Sequence, residues 1–362
     1  MKHQVFIFSG ANTLYLENAK TSSEKHEISI IRALSGFFKT TIVSYNDIEL
    51  EEKNENLSVL KLPREKNYKN LSNRVLASTT IDNYSIIIFF GYNPMQVNQI
   101  YKIKKKAKCK CFTFLYDHHN AAILTKHFLS RVLLNALFNL SLKKINKMDG
   151  VFLFNKNAIN FLKIKIPHLI TKPFLEEKDS FIIDKPRGPF NSFVFAGTLN
   201  KYNCIKEIVV AATNANVKLD IYGDGPLKHE IIPLLNEKII YHGVVNDAIV
   251  REKIKNNSCI LCLRSYDKFI SNVSYPSKFV DAIKYGVPII INNKEFLCGK
   301  DSFNNVFEVK ACSIEEITKS FKSIKDFKIN ESYYLDRNRL SNIFSKEKEI
   351  ESIVSFLKGF FA

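Results

Sequence analysis

Four short stretches in the second half of the chain carry residue types that suit an anionic, nucleotide-like ligand. They are Phe195-Ala196-Gly197-Thr198-Leu199, Asp220-Ile221-Tyr222-Gly223-Asp224-Gly225-Pro226, Ile240-Tyr241-His242-Gly243-Val244, and the run from Ser274 to Ile290. The first three each take an apolar strand pattern into a glycine, so a small or polar residue sits at a strand's carboxyl end, where a nucleotide can lie. The fourth opens a helix: Pro276 suits a first turn and Ser277 can take up free amides. Those amides, the helix macrodipole and Lys278 make an anion site suited to a pyrophosphate. Asp281 falls one helical turn after Lys278 on the same face, where a carboxylate can accept ribose hydroxyls. Gly286 ends that helix and Pro288 opens the next strand. Singly these are common turns and helix starts; their order on consecutive strand ends is the specific signal.

Other chemistry-bearing residues are more scattered. Asp117-His118-His119-Asn120 follows an apolar strand and, taken alone, reads as surface histidines at a strand end. Neighbouring histidines there rarely point at one ion, so no metal is expected. Cys259 and Cys262 form a C-x-x-C inside an apolar strand whose period-2 geometry sends the thiols to opposite faces. Without a second such pair they read as buried, reduced cysteines. Seven cysteines with no framework of spacings suit a reducing cytoplasm.

The elements that must position these residues alternate. In the first half, strands are expected at 5–8, 41–45, 57–62, 84–90, 111–116 and 150–154, with a helix over 24–38. In the second they are expected at 192–196, 218–222, 239–242, 258–263 and 288–292, with a last helix over 345–361. Continuously apolar strands between helical stretches imply parallel sheets covered on both faces. Lys172-Pro173, Lys185-Pro186 and Gly188-Pro189 break the pattern. The division is therefore a first Rossmann-like domain (1–170), a linker (171–190), a second Rossmann-like domain (191–345) and a last helix (346–362) that could pack back on the first domain. Two doubly wound α/β domains place the ligand cleft between them. The length of 362 residues, with 46% hydrophobic and 25% charged residues, suits such a globular chain and excludes wholesale disorder. No secretory signal is evident, and no apolar run reaches the roughly 18 residues that span a bilayer.

The motif succession resembles the nucleotide-sugar-binding domain of GT-B-fold glycosyltransferases, in the large "glycosyl transferases group 1" family. Strand-"GxL", "xGxGP", "xxGxv" and "PSKxxEYxxxGxPvi" correspond to residues 193–292 here. The resemblance implies transfer of a sugar from a nucleoside-diphosphate-sugar donor, with no metal or other cofactor. It places Ser277 and Lys278 near phosphate, Asp281 near ribose, Gly197 near the donor phosphates, and Gly243 and Val244 beside the base. The loop Gly223-Asp224-Gly225 would approach the nucleotide. Many members carry two glutamates eight positions apart; here those positions hold Val273 and Asp281. Thr198 stands where many members have arginine, and Lys201 lies close by, so Arg264 and Lys278 are the cations expected to neutralise the leaving diphosphate. Family members similar to this chain also have a strand ending in "DxH", matched by Asp117 and His119, which would orient sugar hydroxyls or relay a proton. Gly10 and Asn12 after the first strand, and Tyr92 and Asn93 after the 84–90 strand, are placed to meet the acceptor.

The formal charge of +17 implies an anionic partner. Two basic, aromatic stretches contribute to it, 101–110 and 126–147. They read either as a solvated face over a core helix, or as a patch docking on anionic lipid, where each surface Lys or Arg contributes about 1 kcal/mol. No nucleic-acid-binding module is recognised. The combined expectation is a cytoplasmic glycosyltransferase acting on a growing, lipid-linked bacterial surface glycan such as a lipopolysaccharide, peripheral to the inner membrane face. Its rivals are an epimerase of the same fold and a non-catalytic membrane-associated scaffold.

Overall fold

A computed structural model of the chain describes residues 3–15, 22–48, 54–63, 68–116, 127–175, 190, 192–255, 258–265, 272–292, 303–328 and 331–361. The chain divides into two compact units. Unit 1 comprises residues 1–173, 272–275 and 346–362; unit 2 comprises 174–271 and 276–345.

Unit 1 is built on a parallel sheet of β1 (Gln4–Phe8), β2 (Lys39–Ser44), β3 (Leu57–Lys61), β4 (Ile86–Phe90), β5 (Lys110–Leu115), β6 (Gly150–Leu153) and β7 (His168–Ile170). Their spatial order is β3-β2-β1-β4-β5-β6-β7. The central strands are almost wholly buried, as their unbroken apolar sequence requires of strands covered on both faces. The helices are α1 (Ser22–Ser35), α2 (Leu71–Ser78), α3 (Pro94–Ala107), α4 (Phe128–Ile145) and α5 (Asn157–Phe161).

Unit 2 repeats the plan with β8 (Ser192–Ala196), β9 (Lys218–Tyr222), β10 (Ile239–Gly243), β11 (Ser258–Cys262), β12 (Ile289–Ile291) and β13 (Val306–Glu308), ordered β10-β9-β8-β11-β12-β13. Its helices are α6 (Ile205–Ala215), α7 (Lys228–Ile231), α8 (Asp247–Lys255), α9 (Ser277–Tyr285), α10 (Ile314–Lys325) and α11 (Glu331–Ile343). In each sheet the order reverses beside the first strand, between β1 and β4 and between β8 and β11. Those two switch points are where a doubly wound sheet leaves room for a ligand.

The last helix, α12 (Lys346–Lys358), belongs to unit 1. Phe356 meets the edges of Phe112 and Phe152, at centroid distances of 6.1 and 5.4 Å. Gly150 at the head of β6 makes the room, since a Cβ there would lie 3.0 Å from the Phe356 ring and 2.9 Å from Phe112.

Two features depart from expectation. Cys204, at the start of α6, is disulfide-bonded to Cys312, with Cα atoms 6.2 Å apart, whereas reduced cysteines were expected throughout. Residues 108 apart in sequence carry no spacing signal for a pair; only the fold brings them together. Cys259 and Cys262 are free, as expected. The stretch 126–147 is also not simply a core helix with a solvated face. Only Phe138, Ser141, Leu142 and Ile145 of α4 are buried, and its first turns hold their apolar side chains in water.

Candidate functional site

In unit 2 the three glycine turns lie side by side at the carboxyl ends of β8, β9 and β10. The Gly197 amide donates to the Tyr222 carbonyl (3.0 Å), the Gly223 amide to the Gly243 carbonyl (2.7 Å) and the Leu199 amide to the Asp224 carbonyl (2.9 Å). A Cβ on Gly223 would lie 2.0 Å from the Gly197 carbonyl oxygen, and one on Gly225 would lie 2.5 Å from that of Leu199. The glycines of the second motif are therefore demanded first by backbone meeting backbone. Gly197 differs: its Cβ would find ordinary space, with Phe195 at 3.6 Å, and it faces solvent.

Across the switch point, β11 ends at Cys262 and leads to Arg264. The Asn292 carboxamide grips the Arg264 backbone from both sides, accepting its amide proton (3.0 Å) and donating to its carbonyl. The next amide, Ser265, donates to the Tyr202 carbonyl (2.7 Å), which joins this turn to the one after β8. Burial pushes the Cys262 thiol up, while Arg264 and Lys278 pull it down and Asp281 pushes it up. Lys278 Nζ reaches Asp281 Oδ2 at 3.1 Å. Pro276 is the cap residue of α9 and Ser277 its first helical residue, so the helix opens one position later than expected. No side chain caps that helix end, so Ser277 is not the amide acceptor that its sequence position implied. Arg264 and the amino end of α9 thus follow β11, the neighbour of β8, whose own turn holds exposed Gly197 and Thr198; cations and free helix amides are groups that suit an anion.

The remaining residues of this group lie on the turns after β8, β9 and β10. Lys201 sits in the turn after β8 with its ammonium 5.3 Å from the Tyr202 ring. Asp224 accepts from the Gly225 amide at 2.8 Å, and Val244 is 76% exposed just past Gly243. Beneath the β10 end, buried Asp220 accepts from Lys253 (2.9 Å) and pairs with His242 Nε2 (2.7 Å), whose ring stacks on Tyr222 at 4.5 Å. That cluster holds α8 and β10 to β9 and stiffens the Gly243 turn.

In unit 1 the turn after β1 is held by side chains. The Gly10 amide donates to Glu27 (3.0 Å), the Asn12 amide to Glu24 (3.3 Å), and Asn46 donates to the Gly10 carbonyl (3.1 Å). Burial raises the Glu27 carboxyl to about 7, against hydrogen bonds from Ser9, Gly10 and Ala11, and nearby Glu24 raises it further. The neighbouring His26 is lowered to about 3 by burial and meets the ring of Tyr116 edge-on at 5.0 Å. Asn12 also lines a cleft of about 590 Å³ with Tyr45, Asn46 and Lys61.

No family model matches the chain, and no curated protein matches it in sequence. Solved structures do. HepE of Anabaena, in complex with UDP, gives a TM-score of 0.67 at 12% identity over 99% of this chain and 100% of that one. The lipopolysaccharide outer core galactosyltransferase WaaB, in its apo form, gives 0.65 at 13% identity over 99% of both chains. The chain has the GT-B fold. A third match, a S. aureus TarM variant in complex with UDP, α-GlcNAc-glycerol and fondaparinux, covers 79% of this chain and 57% of that one, with a TM-score of 0.59 and 13% identity. At such identity the likeness is one of backbone architecture, and the chemistry must be argued from the residues.

Within this GT-B chain the expected residues divide clearly. Gly197 and Thr198 follow β8 and Arg264 follows its neighbour β11 at the unit 2 switch point, while Ser277, Lys278 and Asp281 lie on α9, which packs against β11. One of the expected acceptor contacts is corrected. Tyr92 is 4% exposed and packs on Phe138 in the core of unit 1. Asn93 caps α3, its carboxamide oxygen accepting the Met95 and Gln96 amides. Asp117 and His119 lie outside the described residues. Val273, standing at a motif position often held by glutamate, is fully buried in the core of unit 1. Sequence reasoning missed Asn292, Glu24 and Glu27. The two glutamates lie one turn apart on α1 and had a signal, because an acidic pair in the first turns of a helix beside a glycine loop can take its amides. Asn292 had none, being one polar residue after an apolar strand.

Proposed function

We propose that the protein is a glycosyltransferase that takes a sugar from a nucleoside-diphosphate-sugar donor held on unit 2. One observation supports this reading: the glycine turns after β8, β9 and β10 are bonded side by side at the carboxyl ends of their strands, while Arg264 and then α9, which carries Lys278 and has no side-chain cap, follow β11 across the switch point. Transfer leaves a diphosphate carrying new negative charge on its departing oxygen. Cationic side chains and helix amides aimed at that oxygen lower the barrier without moving. The proposal gives this work to protein groups and requires no metal ion or other cofactor. Asp281 would accept ribose hydroxyls, and the Gly243–Val244 turn would lie against the base.

Asp117 and His119, which follow β5 in the chain, are proposed to orient sugar hydroxyls or relay a proton. Gly10 and Asn12, in the turn that Glu24 and Glu27 hold, would meet the acceptor. The acceptor proposed is a hydroxyl of a growing, lipid-linked surface glycan, presented at the inner face of the cytoplasmic membrane. Support comes from the fold shared with WaaB, named for the lipopolysaccharide outer core, and from the charge of +17.

The test is a thermal-shift panel of nucleotide sugars, followed by assay of nucleoside diphosphate release with and without glycan acceptors. One donor should raise the melting temperature by mass action and yield its nucleoside diphosphate, even slowly by hydrolysis. No shift with any donor overturns the proposal. A shift with no release points to the scaffold reading, and sugar interconversion without acceptor points to an epimerase.

A further inference from the structure

The first turns of α4 form a large exposed apolar surface. Phe128 is 74% exposed, Leu129 80%, Val132 53%, Leu133 61% and, farther along, Leu140 52%. Leu129, Val132, Leu133, Ala136 and Leu140 recur at the spacing of one helical face. A monomer in water has no use for such a stripe, and one this continuous marks a docking surface. The helix end is anchored: Phe138, Leu142 and Ile145 are buried, and Lys144 donates to Asn98 of α3 at 2.6 Å.

Charge selects the occupant. Helix α4 contains Arg131, Lys143 and Lys144 and no acidic residue; α3, packed against it, contains Lys102, Lys104, Lys105 and Lys106 and again no acidic residue. Of these, Lys102, Lys105, Lys106 and Lys143 are exposed. A second copy docking by this face would bring the two cationic sets together. A bilayer with anionic headgroups instead offers apolar depth to the leucines and negative charge to the lysines. No described helix is long and apolar enough to cross a membrane, so the helix would lie in the interface.

We infer that α4 is the element by which this protein docks on an anionic lipid surface, with Phe128, Leu129, Val132 and Leu133 entering the acyl boundary and the lysines of α3 and α4 meeting the headgroups. This extends the lipid-linked-acceptor proposal by naming the element that meets the lipid. The assay uses neither donor nor acceptor, so each can fail alone.

The experiment is co-sedimentation of the full chain with vesicles of phosphatidylcholine alone or mixed with phosphatidylglycerol. The mixed vesicles should bind the protein, less so as salt rises. The double variant Leu129→Glu, Leu133→Glu should bind them at least about tenfold more weakly at an unchanged melting temperature, since both side chains already lie in water. If that variant misfolds, Phe128→Ser with Leu129→Ser serves instead. Wild-type protein that ignores the mixed vesicles overturns the inference. So does equal binding by wild type and variant, which assigns binding to bulk charge. A wild-type dimer that the variant converts to monomer assigns the face to a second copy.

Discussion

Replacing Gly223 by alanine tests whether the second glycine motif is held by backbone packing. The new Cβ would lie 2.0 Å from the Gly197 carbonyl oxygen and 2.9 Å from its carbon, and neither is a side chain that can turn away. To bring the first contact to 3.0 Å the β8 turn must retreat by about 1 Å, enough to break the bonds from Gly197 to Tyr222 and from Leu199 to Asp224. Each such bond contributes about 1 kcal/mol net. Alanine at a φ of +124° adds about 1–3 kcal/mol of backbone strain. The loss is about 3–5 kcal/mol, a third of a typical folding free energy, and lowers the melting temperature by about 10 °C. Gly197→Ala is the partner experiment. Its Cβ meets Phe195 at an ordinary 3.6 Å, so the melting temperature should hold within about 2 °C. Nucleotide-sugar binding should nevertheless weaken at least about tenfold, because a methyl would stand where the ligand approaches the backbone. Differential scanning fluorimetry and calorimetric titration read both quantities. A Gly223→Ala protein that melts within about 2 °C of wild type would refute the packing argument. A Gly197→Ala protein with normal binding would remove the β8 turn from the donor site.

Three further outcomes are expected. Lys278→Ala should weaken donor binding by about ten- to a hundredfold in titration, as loss of a charge-assisted bond of about 1.5–3 kcal/mol requires; unchanged affinity removes Lys278 from the phosphate site. Cys204→Ser should cost unit 2 about 2–4 kcal/mol in urea unfolding without reductant, since the bond closes a separation of 108 residues, and wild type and variant should converge in dithiothreitol. Glu27→Gln concerns pH. The folded carboxyl titrates near about 7, above the usual carboxylate range, so the native state holds the proton more tightly. The residue's contribution is best below the unfolded value and declines as pH rises through about 7. The variant should therefore unfold about 2 kcal/mol later than wild type at pH 8, with the gap closing toward acid, as chemical denaturation at several pH values would show.

The strands that were legible are those whose apolar runs are long enough to be buried on both faces. Ile86–Phe90 and Ser192–Ala196 are such cases. His168–Ile170 and Val306–Glu308 were missed because three-residue strands at sheet edges have neither length nor period. The three glycine turns were legible because each directly follows an apolar strand, and α9 because a Pro-Ser start leads an apolar helical pattern to Gly286. Tyr92 was misassigned for the opposite reason. The residues after a central strand also lead into the next helix, and core packing took Tyr92. Tertiary grips such as Asn292 on Arg264 link residues 28 apart and leave no local trace.

Unit 1 is completed by two segments that lie far along the chain from its sheet: residues 272–275, with fully buried Val273, and the helix carrying Phe356. The ribosome delivers all seven strands of that sheet before either segment exists. During synthesis Phe112 and Phe152 must therefore wait without the Phe356 ring that covers them. The half of the protein that is made first is the half that finishes folding last, so a fragment ending near residue 173 should come off the ribosome sticky rather than native.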